Sequence, residues 1–430
     1  MDQQVAAALD ALRKLGTPDG MRALARQGCA PQPQPRVNSH IHLPPNFSAF
    51  ESVEQAVRLA AEQGIGALGV SNYYDYQVYG EFVRCARQQG IFPLFGTEII
   101  CLDAALRDAG IKINDPGNPG KIYFCGKGIT RFDVLTAEAR QLLETIRRND
   151  AARMAQMVTQ MERHFSACGL RTGLDEQAVV EMVVRRHGCD RRTVYLQERH
   201  ISQAFQEALF AQLEPAARIP QLNKILGAAT KARDPDDFVA VQNDLRAHLM
   251  KAGKPAFVAE TFVSFDDAYR LVLELGGLPC YPTVADGASP ISQIEASPDK
   301  LIAEIRARNI HAVEWVPVRN SVQLLREYAL AMRAAGLVVT AGTEHNTLDL
   351  IPLDPFCRDG QVPEELRTLF WEGACVVAGH QFLTLHGACG FVDGAGNPNP
   401  DYASADERIA AVAGIGAAVI QRYYEACRGA

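Results

Sequence analysis

The chain contains no Cys-x-x-Cys pair. Its eleven cysteines are scattered and odd in number. A zinc–thiolate cluster or a disulfide framework is therefore not expected, and reduced, mostly buried thiols of a cytoplasmic protein are. Basic residues are not in excess: the formal charge is -7 and the pI about 5.9. That argues against a nucleic-acid partner, which calls for a basic face. No run approaches the ~18 apolar residues that would span a membrane. Met1-Asp2-Gln3-Gln4 lacks the basic region and apolar core of a signal peptide, so neither a leader nor a membrane partner is expected. Internal repeats and low-complexity tracts are missing as well.

What is present is a globular composition, 47% hydrophobic and 22% charged over 430 residues. It supplies a large core, in one α/β domain with an insertion or in two domains. The most informative stretch is Arg36-Val37-Asn38-Ser39-His40-Ile41-His42. Alternate side chains on a strand point the same way, so His40 and His42 project together from one strand end. Two such imidazoles suit a shared metal. They also suit an edge strand, and it is the ligand-type residues at later strand ends that favour the metal.

Residues 1–35 read as a helical lead-in, with helices over Val5 to Leu15 and Met21 to Arg26 and a proline-rich approach to the first strand. Ser52, with Gln55 three residues on, reads as the N-cap of a helix running to about Gln63. Strands are expected at 64–70 and 91–95, with a helix between them, and a weaker strand at Lys121 to Cys125. From about 131 to 255 the pattern becomes helical, which predicts an all-α insertion packed as a small bundle. The α/β rhythm resumes over 256–430, with strands at 278–282, 312–316 and 337–341, a mixed segment over Phe370 to Gly390 and a final helix over Ala405 to Cys427. Strands alternating with helices predict a mainly parallel sheet whose functional groups gather at the carboxyl ends of the strands.

Five residues at those ends are candidate ligands: His40, His42, Glu98, Glu344 and His345. Imidazole with carboxylate suits Zn, Mn or Fe, and such a site supports metal-assisted hydrolysis. Glu344 and His345 are adjacent, so both reach one metal only if the chain bends there. Glu314 reads as a residue that orients a neighbour.

The order of these pieces resembles the PHP (polymerase and histidinol phosphatase) family. Its Asp-x-His-x-His opening falls on Asn38-Ser39-His40-Ile41-His42, its Thr-Asp-His on Ser71-Asn72-Tyr73, and its Gly-x-Glu-Ile on Gly96-Thr97-Glu98-Ile99. The Ile-His-x-x-Gly strand of some members falls on Ile122-Tyr123-Phe124-Cys125-Gly126, and their Arg-x-His stretch on Arg199-His200-Ile201. Gly276-Gly277-Leu278-Pro279-Cys280-Tyr281-Pro282, Ala312-Val313-Glu314-Trp315 and Gly342-Thr343-Glu344-His345 match the later motifs. The resemblance spans roughly residues 36–350. It implies a distorted (β/α)7 TIM-like barrel with the helical insertion as a lid, and a metal-dependent phosphoesterase.

The chain departs from that pattern where tyrosine replaces histidine at Tyr73, Tyr123 and about Tyr281, and where His345 follows Glu344 directly. These departures exclude a full trinuclear site and leave one or two divalent ions. The resemblance gives Glu344 or His345 the proton transfers and makes Lys127, Arg199 or His200 the holders of a small, phosphorylated, anionic substrate. Asn72, Tyr73 and Tyr281 become pocket walls or substrate hydrogen bonds. Alternative readings are a metal enzyme acting on a carbonyl sugar and a non-catalytic binding relative. Homo-oligomerisation stays open.

Overall fold

The computed structural model describes residues 3–429. Its frame is a path of seven strands in the order β1 (Arg36–Ile41), β2 (Ile65–Val70), β3 (Phe92–Leu102), β4 (Lys121–Lys127), β6 (Leu278–Thr283), β7 (Ala312–Trp315) and β8 (Val338–Ala341). A two-residue β5 (Val263–Ser264) pairs with the far end of β3. All neighbours along the path are parallel except β4, which runs antiparallel to both β3 and β6. The path closes where β1 meets the chain leaving β8. His42 N donates to Glu344 O at 2.8 Å, and Ile41 bridges Glu344 in parallel. The result is a nearly closed, parallel-dominated barrel, as the alternation of strands and helices predicts.

The strands are apolar along most of their length and buried on both faces, the expected state for parallel strands covered by helices. Helices form where the sequence carries caps. The Ser52 hydroxyl accepts from Gln55 N at the start of the helix Val53–Glu62, and the Thr136 hydroxyl accepts from Ala139 N at the start of Ala137–Ala167. That second helix, 31 residues long, opens an all-helical insertion between β4 and β5. The insertion has its own apolar core, in which Met157, Phe165, Val183, Phe205 and Leu249 meet.

The segment expected to be mixed over Phe370 to Gly390 is instead one helix, Glu364–Leu385. It lies between the barrel and the C-terminal helix Ala405–Arg428 and is buried on two sides, so it shows no single apolar stripe. Glycines allow this closeness. A Cβ on Gly373 would stand 2.0 Å from Val339 O of β8, and one on Gly416 would stand 1.8 Å from Cys375 O. No helix among the described residues is long and apolar enough to cross a membrane.

Candidate metal centre and cavity

Strand geometry assembles the centre. His40 and His42 leave β1 on one face, and β3 delivers Glu98 beside them. His42 Nε2 lies 3.0 Å from Glu98 Oε2, His40 Nε2 lies 3.5 Å from the same oxygen, and the two Nε2 atoms are 3.3 Å apart. All three side chains are buried. Gly342, at the end of β8, makes room for the first imidazole, since a Cβ there would stand 2.3 Å from His40 Cβ. Tyr73 covers the second, stacked on His42 with centroids 5.1 Å apart.

Behind the centre, the Nδ1–H of His40 donates to Glu314 Oε1 at 2.5 Å. This leaves Nε2 as the free lone pair, the usual support for a ligating histidine. Lys127 Nζ neutralises Glu314 at 2.6 Å and donates to Ser39 O and Ser71 Oγ, each at 3.2 Å. Burial and Lys127 pull the His40 imidazole down, but Glu314 and Glu98 outweigh them and hold it up at about 9. Burial pushes the Glu98 carboxyl up, yet the His40 and His42 imidazoles set against it hold it well below the usual range.

This donor set fits a divalent cation. The three ligand atoms are spaced much as in a tetrahedron around zinc, where bonds of about 2.0–2.1 Å put ligand atoms ~3.3 Å apart. Glu98 Oε2 is buried and has no well-aligned hydrogen-bond donor. Glu98 and Glu314 bring two negative charges against the single positive charge of Lys127, so the cluster attracts a cation, and a proton on His40 or a metal ion would compete for that place.

The other expected ligands do not join this cluster. After β8 the chain turns through two left-handed residues, Glu344 (φ 59°) and His345 (φ 52°). The turn sends the two side chains different ways. Glu344 is held by an ion pair with Arg319 and accepts from Asn346 Nδ2 at 2.6 Å. His345 stacks on Phe50, its Nε2 donates to Ile351 O at 2.9 Å, and its Nδ1 accepts from the Thr343 hydroxyl at 2.7 Å. Both of its ring nitrogens are therefore used.

A cavity of about 420 Å³ lies between the carboxyl ends of the strands and the insertion. Of the expected substrate contacts, Tyr73 and Arg199 line it. Among the described residues Arg199 has no carboxylate partner; its Nη1 donates to Asn243 Oδ1 at 3.4 Å. Burial, with Arg246 and Arg319 nearby, lowers its guanidinium to about 9. Four expected contacts have other duties. Lys127 is the buried counter-ion of Glu314. Asn72 clamps Leu43, accepting from Leu43 N and donating to Leu43 O, both at 2.8 Å. Tyr281 donates its hydroxyl to Glu295 at 2.9 Å. His200 caps its own helix, accepting from Gln197 N at 3.0 Å.

Residues not singled out in the sequence also line the cavity: Lys121, Asp150, Arg153, Arg246, Lys251 and Arg319. They come from β4, the insertion and the turn after β7. Isolated charges of this kind read as solvated surface until the fold gathers them. The one available signal was the position of Arg319, four residues beyond the end of β7.

No known protein family pattern matches the chain, and no curated protein matches it. Solved structures do. An amidohydrolase from Chromobacterium violaceum, determined with bound sulfate and no metal, aligns over 78% of this chain and 95% of its own at 17% identity, with a TM-score of 0.50. A provisionally assigned metal-dependent phosphoesterase from Bifidobacterium adolescentis aligns over 79% and 96% at 15% identity, with a TM-score of 0.53. What this chain shares with both is the fold, a TIM-like barrel of seven to eight mainly parallel strands surrounded by helices.

Proposed function

We propose that this chain is a metal-dependent hydrolase of the PHP type that cleaves a phosphate ester of a small anionic metabolite. One observation carries the reading: His40, His42 and Glu98 converge beside a cavity rich in guanidinium groups. The two structural neighbours, named as an amidohydrolase and a phosphoesterase, are consistent with hydrolysis at a metal. The motif order read from the sequence narrows the choice towards phosphoesters.

When bound at His40 Nε2, His42 Nε2 and Glu98, a divalent ion would polarise a phosphoryl oxygen and acidify a water. Glu314 holds His40 in the tautomer whose Nε2 lone pair faces that position. Arg199 binds the substrate anion, having no carboxylate partner among the described residues. Arg319, anchored by Glu344, adds a second fixed donor. Tyr73 walls the site and holds the His42 ring by stacking on it. Glu344 acts here as the holder of Arg319, and His345 as a packing residue.

Metal content tests the centre, measured by plasma mass spectrometry on freshly purified protein beside His40→Ala/His42→Ala. About one divalent ion per chain is expected, lost in the double variant together with phosphate release from a panel of esters. Equal metal in both proteins would overturn the assignment of the centre. Bound metal without phosphate release would move the reading to another hydrolytic class, amides first.

A further inference from the structure

Five carboxyls line the cavity: Glu98, Asp115, Asp150, Glu198 and Glu344. Four have partners. Glu98 belongs to the donor cluster. Asp115 pairs with Lys121 at 3.1 Å and accepts from the backbone of Gly117 and Asn118. Glu198 gathers Arg153, Arg246 and Lys251. Glu344 takes Arg319 and Asn346. Asp150 is 8% exposed and makes no hydrogen bond or ion pair with any described residue. The hydroxyl of Tyr74, which lines the same cavity, is also buried and unpartnered. Nearby cations relieve Asp150 only in part, because Arg153 is committed to Glu198 and Lys121 to Asp115. A carboxyl so enclosed, with no protein partner and facing the cavity it lines, is placed to meet a ligand there.

The placement of Asp150 is held from both sides. One turn earlier on the same helix, Arg147 donates through Nε to Tyr74 O at 2.8 Å and stacks over Tyr195. This pins the insertion to the loop leaving β2, where Tyr74 adopts a left-handed φ of 56°. Tyr73, next in the chain, stacks on His42. Asp150 therefore looks into the cavity from the lid, while the donor cluster approaches from the barrel.

We propose that Asp150 is the proton donor to the leaving group, a role that rests on the phosphoester reading above. In this step the bond between phosphorus and the bridging oxygen breaks. The bridging oxygen leaves with the bonding electron pair and takes the Asp150 proton, departing as an alcohol. Water forms the new bond to phosphorus, and the proton it loses passes through solvent to recharge the Asp150 carboxylate. The products are the alcohol and inorganic phosphate. Burial raises the Asp150 carboxyl to about 7, Arg153 and Lys121 working against it and Glu198 with it. A carboxyl poised there holds a proton at neutral pH and can release it, as general acids do.

Two substrates test the step: an alkyl phosphate, whose alcohol leaves only with a proton, and p-nitrophenyl phosphate, whose phenolate leaves without one. Metal-loaded Asp150→Asn is expected to lose about 10²–10⁴-fold of kcat/KM on the alkyl ester and less than about tenfold on the aryl ester. Wild-type turnover of the alkyl ester should fall above about pH 7, and the variant should lack that limb. Asp150→Glu, which keeps a carboxyl, should retain most alkyl turnover with the limb displaced. An infrared band of a protonated carboxyl, bleaching across the neutral range in the wild type and missing in Asp150→Asn, should accompany these changes. Equal losses on both esters, an unmoved basic limb, or a glutamate variant as impaired as the asparagine one would overturn the role. Turnover of neither ester by metal-loaded wild type would overturn the phosphoester reading, and the role with it.

Discussion

Two pairs of ligand-type residues sit on neighbouring strand ends, and only one pair converges. His40 and His42 alternate along the extended β1 and bring their Nε2 atoms within 3.3 Å. Glu344 and His345 follow β8, whose chain hydrogen-bonds directly to β1, yet their backbone turns left-handed at both residues. One side chain enters the cavity and pairs with Arg319. The other packs on Phe50 and is consumed by Thr343 and Ile351. Residue type is equally suited to metal in both places. Backbone conformation decides which imidazoles can share an ion.

The comparison breaks most severely if the support behind the first pair is removed. Glu314 is fully buried between His40 and Lys127. Glu314→Gln leaves a buried ammonium without its counter-charge, a loss worth about 3–5 kcal/mol in such pairs. Chemical denaturation should read that loss, and metal affinity should fall, by at most about 10–100-fold, as the charged acceptor behind His40 becomes a neutral amide. Adding Lys127→Met should recover a good part of the stability, because it removes the stranded charge. Denaturation curves unchanged in the single variant would mean that the pair is solvated.

The second pair gives a smaller, separable effect. Arg319→Ala should weaken binding of inorganic phosphate about tenfold, the scale of one charged hydrogen-bonding group, with metal content unchanged. Titration calorimetry on metal-loaded protein reads the first quantity and plasma mass spectrometry the second. Loss of metal in Arg319→Ala, or in Glu344→Ala, would put Glu344 back among the ligands and erase the contrast between the pairs.

Much of the barrel is legible in the sequence, and for a physical reason. Strands of a parallel barrel are short apolar runs between capped amphipathic helices, so each announces itself locally, as Ile65–Val70 and Val338–Ala341 do. The helix Glu364–Leu385 is hidden because burial on two faces removes its period. In the site, His40 and His42 are legible because their relation lies within one strand. Glu98 reads as a strand end in the sequence, yet it joins them from within β3, which runs on to Leu102. The cavity is hardly legible, since Arg319 comes from the turn after β7 while Asp150 and Arg246 come from two different helices of the insertion. Lys127 and Asn72 show the opposite error. Their polar side chains suggest substrate contacts, but the fold spends them on Glu314 and Leu43.

The mildest test concerns the imidazoles that the fold keeps away from the centre. His380 donates to Gly276 O at 3.1 Å and accepts from Phe391 N at 3.0 Å, so it must be neutral. Burial lowers it to about 4, against a weak opposing pull from the Gly276 carbonyl. Burial likewise lowers His345 to about 4 and His200 to about 3. An unfolded histidine titrates near 6.5, so the unfolded chain takes up protons first as the solution is acidified. The stability these residues contribute is therefore whole above about 6.5 and is lost as pH falls towards 4, by at most about 1.4 kcal/mol per pH unit for each. The thermal midpoint should decline over that window, and less steeply in His380→Gln, whose side-chain amide can keep the bond to Gly276 without titrating. The same substitution at His345 should flatten the decline while leaving bound metal in place. A flattened decline accompanied by metal loss would show that His345 reaches the ion after all, and the two strand ends would then be alike.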